Sequence, residues 1–275
     1  MHLLIDYGGT KFRYSFVNEL NDTLSIKTLA SKEIDFESFL NQNLDPSIES
    51  LRISFAGQVR DGVVLSSPNT NLKNFDIKKY IKQRGLQTRL YLQNDLNCAA
   101  QAVMHRYGYQ NFVLLFLGTG FGAAFVSGGK VFEGENGLSL EIGHIPFQKT
   151  PFKCGCGKDS CVELSASGSA IKRWCNHFAI KLQYDGYDAL QEVTDKQAHQ
   201  VIYNFDKALE YAVQTTLTLF DCNRVILGGG VFESSAVLVE KVKEFARSTP
   251  FANLKNIEVM EVNLKESSLE GTRYL

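Results

Sequence analysis

Residues 3–18, LLIDYGGTKFRYSFVN, decide how this chain is to be read. An apolar run ends in an acid, a Gly-Gly-Thr turn follows, and a second strand-like run leaves it. Two such runs joined by glycines predict a β-hairpin. The same shape returns at 114–129, LLFLGTGFGAAFVSGG, as apolar strand, Gly/Thr turn and apolar strand. One hairpin of this kind in each half predicts a duplicated α/β fold with a cleft between the halves.

Outward from the first hairpin, strand patterns fall at 24–32, 51–57, 63–67 and 89–94, and helices at 36–43 and near 76–84. Asn94 or Asp95, both favoured caps, opens a helix that runs to about Arg106. GYQN (108–111) marks a lobe boundary, which gives a small lobe of 1–108 and a large one of 109–275, the extreme C-terminus packing back on the small lobe. The second half reads as strands at 112–118, 123–129, 224–230 and 257–262, with helices around 166–182, 196–220 and 234–247. Strands interleaved with helices make the class α/β with mixed sheets.

The 275 residues carry a formal net charge of −1, so no global field favours nucleic acid or an anionic membrane. The densest basic stretch, 78-KKYIKQR-84, fits one wet face of a short helix. MHLLIDYGG lacks the basic region, long apolar core and cleavage site of a secretory leader. No apolar run approaches the ~18 residues of a membrane span. The expectation is a cytoplasmic protein, in which clustered cysteines are metal ligands or catalytic groups more often than disulfides.

Three glycine turns stand at strand ends. A P-loop is absent, and GTGFGA (118–123) continues into a strand rather than the helix a dinucleotide turn must open. The turns offer main-chain N–H groups for close approach to an anion, joined by the Thr10 and Thr119 hydroxyls. Asp6 suits Mg²⁺ directly or through water, and Lys11 can add a positive charge. Gly228, Gly229 and Gly230 end a strand and leave bare backbone on which a flat nucleoside can lie. Together these turns fit a nucleoside triphosphate. In QNDLNCAA (93–100), Asp95 has two readings: the carboxylate that takes the proton of an acceptor hydroxyl, with Asn94 holding a neighbouring hydroxyl, or merely a helix cap.

Cys154, Cys156 and Cys161 lie within eight residues, and His144 ten residues upstream completes a Cys₃His set suited to structural zinc. Four protein ligands leave no open position for catalysis on the ion. Cys98, Cys175 and Cys222 sit in apolar surroundings as small buried groups. Glu141 and Glu163 flank the cluster; an ion that pins both segments would fix two carboxylates to face the hydroxyls of a sugar.

DYGGTK (6–11), QNDLNCAA (93–100), LGTGFGAAF (117–125), EIGH (141–144), CGCGKDSCVE (154–163) and VILGGGV (225–231) together resemble the ROK family (repressors, open reading frames, sugar kinases) of the actin-like ATPase superfamily. The resemblance spans the whole chain. It implies a duplicated RNase H/actin-like fold of two lobes and ATP- and Mg²⁺-dependent phosphorylation of a hexose or N-acetyl-hexosamine at the 6-OH, with Asp95 as base. Gly57, Asn69, Asn94, Glu141, His144 and Glu163 then match sugar contacts, and His144, Cys154, Cys156 and Cys161 the structural Zn²⁺ ligands. Asp6, Gly8, Gly9, Thr10 and Lys11, with Gly118, Thr119, Gly120 and Gly122, match the two phosphate elements; Gly228, Gly229 and Gly230 match the adenosine element. A homodimer or homotetramer is implied as well.

The chain departs from the family pattern at Ala123-Ala124, at FAG (55–57), at Ser160 in the cysteine signature, and in a short C-terminal helix. Family repressors carry an N-terminal helix-turn-helix for which this chain has no room, so the kinase branch is expected. Two rivals remain from the residues: a non-catalytic, zinc-stabilised sugar sensor of the same fold, and a metallohydrolase using the Cys₃His ion.

Overall fold

Leu3, Leu4 and Ile5 are all fully buried, as expected of a strand covered on both faces. They lie in β1 (His2–Tyr7) of a computed structural model that describes residues 1–67, 70, 72–250 and 256–275. The chain forms two compact units, the first comprising 1–109, 129–139 and 265–275, the second 110–128 and 140–264.

In the first unit β1 pairs antiparallel with β2 (Lys11–Val17), and β2 with β3 (Lys27–Ala30). After α1 (Phe36–Asn43), β4 (Ser50–Phe55) lies parallel on the other side of β1. A small antiparallel sheet of β5 (Gln58–Arg60), β6 (Val63–Ser66) and β7 (Phe75–Asp76) follows, then α2 (Ile77–Gln83). Strand β8 (Arg89–Asn94) closes the main sheet in the order β3-β2-β1-β4-β8 and leads directly into α3 (Asp95–Tyr107).

Alternation along these strands sorts the two faces. Leu3, Ile5 and Tyr7 join Leu51, Ile53 and Phe55 in one core, where Tyr7, Phe12, Phe36 and Phe55 meet with ring centroids 5.1–6.4 Å apart. The opposite positions, Leu4 and Asp6 on β1 and Ser50, Arg52 and Ser54 on β4, are buried too.

In the second unit β9 (Phe112–Leu117) pairs antiparallel with β10 (Phe121–Ser127) and parallel with β12 (Arg224–Gly228), which is parallel to β13 (Glu258–Glu261). The sheet carries α4 (Gly168–His177), α5 (Tyr187–Gln191), α6 (Lys196–Phe220), α7 (Gly230–Glu233) and α8 (Ala236–Arg247). In α6 the buried Val201, Phe205, Ala208, Leu209, Ala212, Val213, Thr216 and Leu217 form one helical stripe. The chain returns to the first unit as β11 (Lys130–Val131) and as α9 (Ser267–Gly271).

Each five-stranded sheet therefore has an antiparallel hairpin followed by two parallel strands, which is the duplication the two glycine hairpins predict. The 24–32 strand is shorter than expected, at Lys27–Ala30. β5, β7 and α5 have no counterpart in the sequence reading, being too short to show a period. Among the described residues no helix is long and apolar enough to cross a membrane.

Candidate active site

Asn94, not Asp95, caps α3: its Oδ1 accepts from the Leu96 and Asn97 amides at 2.9 and 3.4 Å. The structural role that competes for Asp95 is thus taken by its neighbour. Asp95 becomes the first helical residue, half-buried, with Oδ1 accepting from the Leu96 amide at 2.9 Å. Asn94 also donates Nδ2 to the Gly57 carbonyl at 3.3 Å, which brings two expected sugar contacts together. Gly57 is required there, because a Cβ would stand 2.4 Å from the Ser66 carbonyl oxygen. Asn69 lies outside the described residues.

Asp6 is almost wholly covered, with Ser54 Oγ on Oδ1 at 2.9 Å and Arg13 Nη1 on Oδ2 at 2.8 Å. Burial pushes its carboxyl above the ordinary value, against the pull of Ser54 and Arg13. Arg13 was missed in the sequence reading, yet counting outward from the turn pairs Tyr7 with Phe12 and Asp6 with Arg13. A carboxylate so covered suits Mg²⁺ through water, not directly. Gly8, Gly9, Thr10 and Lys11 form the turn beyond it, closed by Gly8 N–H to Lys11 O at 3.0 Å and tied to Ser31, whose Oγ donates to Gly8 O. Thr10 and Lys11 are exposed. Cys98 is buried below both acids; burial raises its thiol strongly and the charges of Asp6 and Asp95 add to this.

In the second unit, residues 145–162 fold back on themselves. Phe147, Thr150 and Cys154 donate main-chain N–H to Ser160, Asp159 and Lys158, and Val162 to Ile145. This ladder brings the ligand atoms of His144, Cys154, Cys156 and Cys161 within 4.8 Å of one another. His144 Nδ1 lies 3.3 Å from Cys154 Sγ, and Cys156 Sγ 3.4 Å from Cys161 Sγ. Bonds of 2.3 Å in a tetrahedron put ligands roughly 3.8 Å apart, so the set fits zinc. With Nδ1 toward the thiols, His144 turns Nε2 to Glu141, 3.8 Å away. Desolvation raises the Glu141 carboxyl, with Glu163 adding and His144 opposing.

The second glycine turn is welded to this cluster. Glu163 Oε2 accepts from the Phe121 amide at 2.9 Å, and a Cβ on Gly120 would stand 2.4 Å from that same oxygen. A Cβ on Gly143 would meet Phe121 O at 2.1 Å. The start of α4 is bonded to the turn as well, Gly168 N–H to Gly118 O and Ser169 N–H to Thr119 O. Gly122 lies in β10, and the departing Ala123 and Ala124 are buried there. At the end of β12, Gly229 takes φ +99° with Leu117 O in the place of a Cβ, and Gly230 faces open space. None of these main-chain approaches has a residue-type signal beyond glycine itself.

The ROK family model matches residues 3–274. The chain belongs to the ROK family. An N-acetylmannosamine kinase of Escherichia coli O9:H4 strain HS is 30% identical over 257 residues, 86% of each chain. A glucokinase of Halalkalibacterium halodurans is 24% identical over 279 residues, covering 87% of this chain and 83% of that one. The crystal structure of a ROK family glucokinase from Streptomyces griseus, in complex with glucose and AMPPNP, superposes with a TM-score of 0.73 at 23% identity, over 99% of this chain and 98% of that one. At that identity the structure speaks for the fold, the actin-like ATPase fold of ROK sugar kinases.

Proposed function

We propose that this ROK protein is an ATP-dependent sugar kinase that phosphorylates the 6-OH of a hexose or N-acetyl-hexosamine. The observation that carries the assignment of the base is the placement of Asp95 as the first residue of α3, half-buried, directly after the Asn94 cap. The kinase relatives support the reaction class.

Asp95 accepts the proton of the sugar hydroxyl as its oxygen attacks the γ-phosphorus, the bond to the bridging oxygen breaks and ADP leaves. Glu141, His144 and Glu163 hold sugar hydroxyls, and Asn94, Gly57 and Asn69 are sugar contacts in the same reading. The turns at 8–11 and 118–122 give N–H and hydroxyl donors to the phosphates, and 228–230 carries the adenosine. Mg²⁺, when bound with the nucleotide, offsets phosphate charge. Zn²⁺ on His144, Cys154, Cys156 and Cys161 supplies no chemistry beyond fixing the two glutamates. Assembly into dimers or tetramers belongs to the same proposal, and light scattering measures it.

Coupling of the product's ³¹P signal to the C6 protons tests the acceptor, with glucose and N-acetylmannosamine as substrates. Coupling to protons at any other carbon would overturn the 6-OH assignment.

A further inference from the structure

Helix α9 rests on α3, the helix that begins with Asp95, and the contact is main chain on main chain. A Cβ on Gly271 would stand 1.7 Å from the Cys98 carbonyl oxygen, 2.4 Å from its carbon and 3.0 Å from its Cα. Cys98 is three residues on from Asp95, so this carbonyl belongs to the turn that carries the acid. No rotamer change relieves such a clash, because the obstacle is backbone.

The rest of the segment is fastened on both sides of that point. Arg52 Nη1, on β4, donates to the main-chain oxygens of Thr272, Arg273 and Leu275, and its guanidinium lies 4.3 Å from the Tyr91 ring centroid. Leu269 is fully buried against Leu4 and Val17. At the far end of α3, Arg106 pairs with Glu270 and His105 stacks on Tyr274 at 3.8 Å. Arg52 holds 272–275 in place, and α3 is tied to the same segment at its last turn, so a push on the first turn of α3 tilts the helix and moves Asp95 with it.

We propose that Gly271 is a positioning residue for Asp95, the close approach it permits setting where the carboxylate stands. The proposal rests on the kinase reading for what Asp95 does. A side chain at 271 forces the two main chains apart by more than 1 Å, and a misplacement of about 1 Å costs on the order of 10²-fold in rate.

The test is Gly271→Ala, assayed with ATP and whichever of glucose, N-acetylglucosamine and N-acetylmannosamine is turned over fastest. Expected is a kcat lower by on the order of 10²-fold with both KM values within about threefold, and no further loss when the change is added to Asp95→Asn. A folded Gly271→Ala with unchanged kcat, or an equal loss in both backgrounds, overturns the proposal. Should Gly271→Ala fail to fold, Glu270→Arg strains the same contact through Arg106. Its kcat should fall and return in the Arg106→Glu/Glu270→Arg exchange, whereas wild-type kcat in Glu270→Arg overturns the proposal. Amide exchange at 96–98 separates the two readings. It should accelerate in Gly271→Ala whether or not ATP is consumed, and unchanged exchange overturns the positioning role. Absence of ADP with every sugar overturns the kinase reading while the exchange result still decides the positioning.

Discussion

Asp6 shows how a single buried charge is made tolerable. Its carboxylate has Arg13 on one oxygen and Ser54 on the other, and the pair is largely out of solvent. Removing one partner of such a pair leaves an uncompensated charge, so Arg13→Met should cost about 3–5 kcal/mol in urea unfolding. A loss below about 1 kcal/mol would place the pair with exposed ones. The raised carboxyl has a pH consequence. A proton held more tightly in the fold than in the unfolded chain favours folding most below the ordinary value of 3.8, and that contribution is lost as pH rises through the folded value. The stability of Asp6→Asn relative to wild type should therefore grow as pH rises from about 4 toward neutrality; a flat difference would contradict the shift. Asp6 and Asp95 were legible as acids at strand ends, because a polar residue closing an apolar run is visible in one dimension. That Asn94 does the capping was not, since both residues favour that position.

At the scale of elements, the cysteine hairpin was legible because its ligands lie close in sequence and few other uses need three thiols at that spacing. The expected content is about one zinc per chain. Chelation should lower Tm and sugar affinity together, and zinc-free protein with both unchanged would remove the scaffold role. The bond from the Phe121 amide to Glu163 was illegible: it spans 42 residues, and a main-chain donor leaves no mark in the sequence. It predicts that Gly120→Ala, by displacing Glu163, weakens sugar binding roughly tenfold, about 1.4 kcal/mol in calorimetry. Unchanged affinity would count against Glu163 as a sugar contact. The same limit hid α9 on α3, where Gly271 meets Cys98 across most of the chain.

Across the whole molecule, the repeated antiparallel hairpin was legible from two sixteen-residue stretches, because β1 and β9 are largely buried and carry the apolar runs LLI and FVLLFL. The return of 129–139 to the first unit was less so, being a matter of long-range packing, whereas the extreme C-terminus was expected on the small lobe. The kinase relatives point to sugars and ATP without choosing the sugar. The most direct measurement is ADP formation over a panel of hexoses and N-acetyl-hexosamines, run on wild type and Asp95→Asn with sugar binding followed by calorimetry. The expected result is ADP matched by sugar phosphate for at least one sugar, and a kcat lower by on the order of 10²–10⁴ in Asp95→Asn while that sugar still binds. Sugar binding with no ADP in wild type, or a wild-type rate in Asp95→Asn, would contradict it.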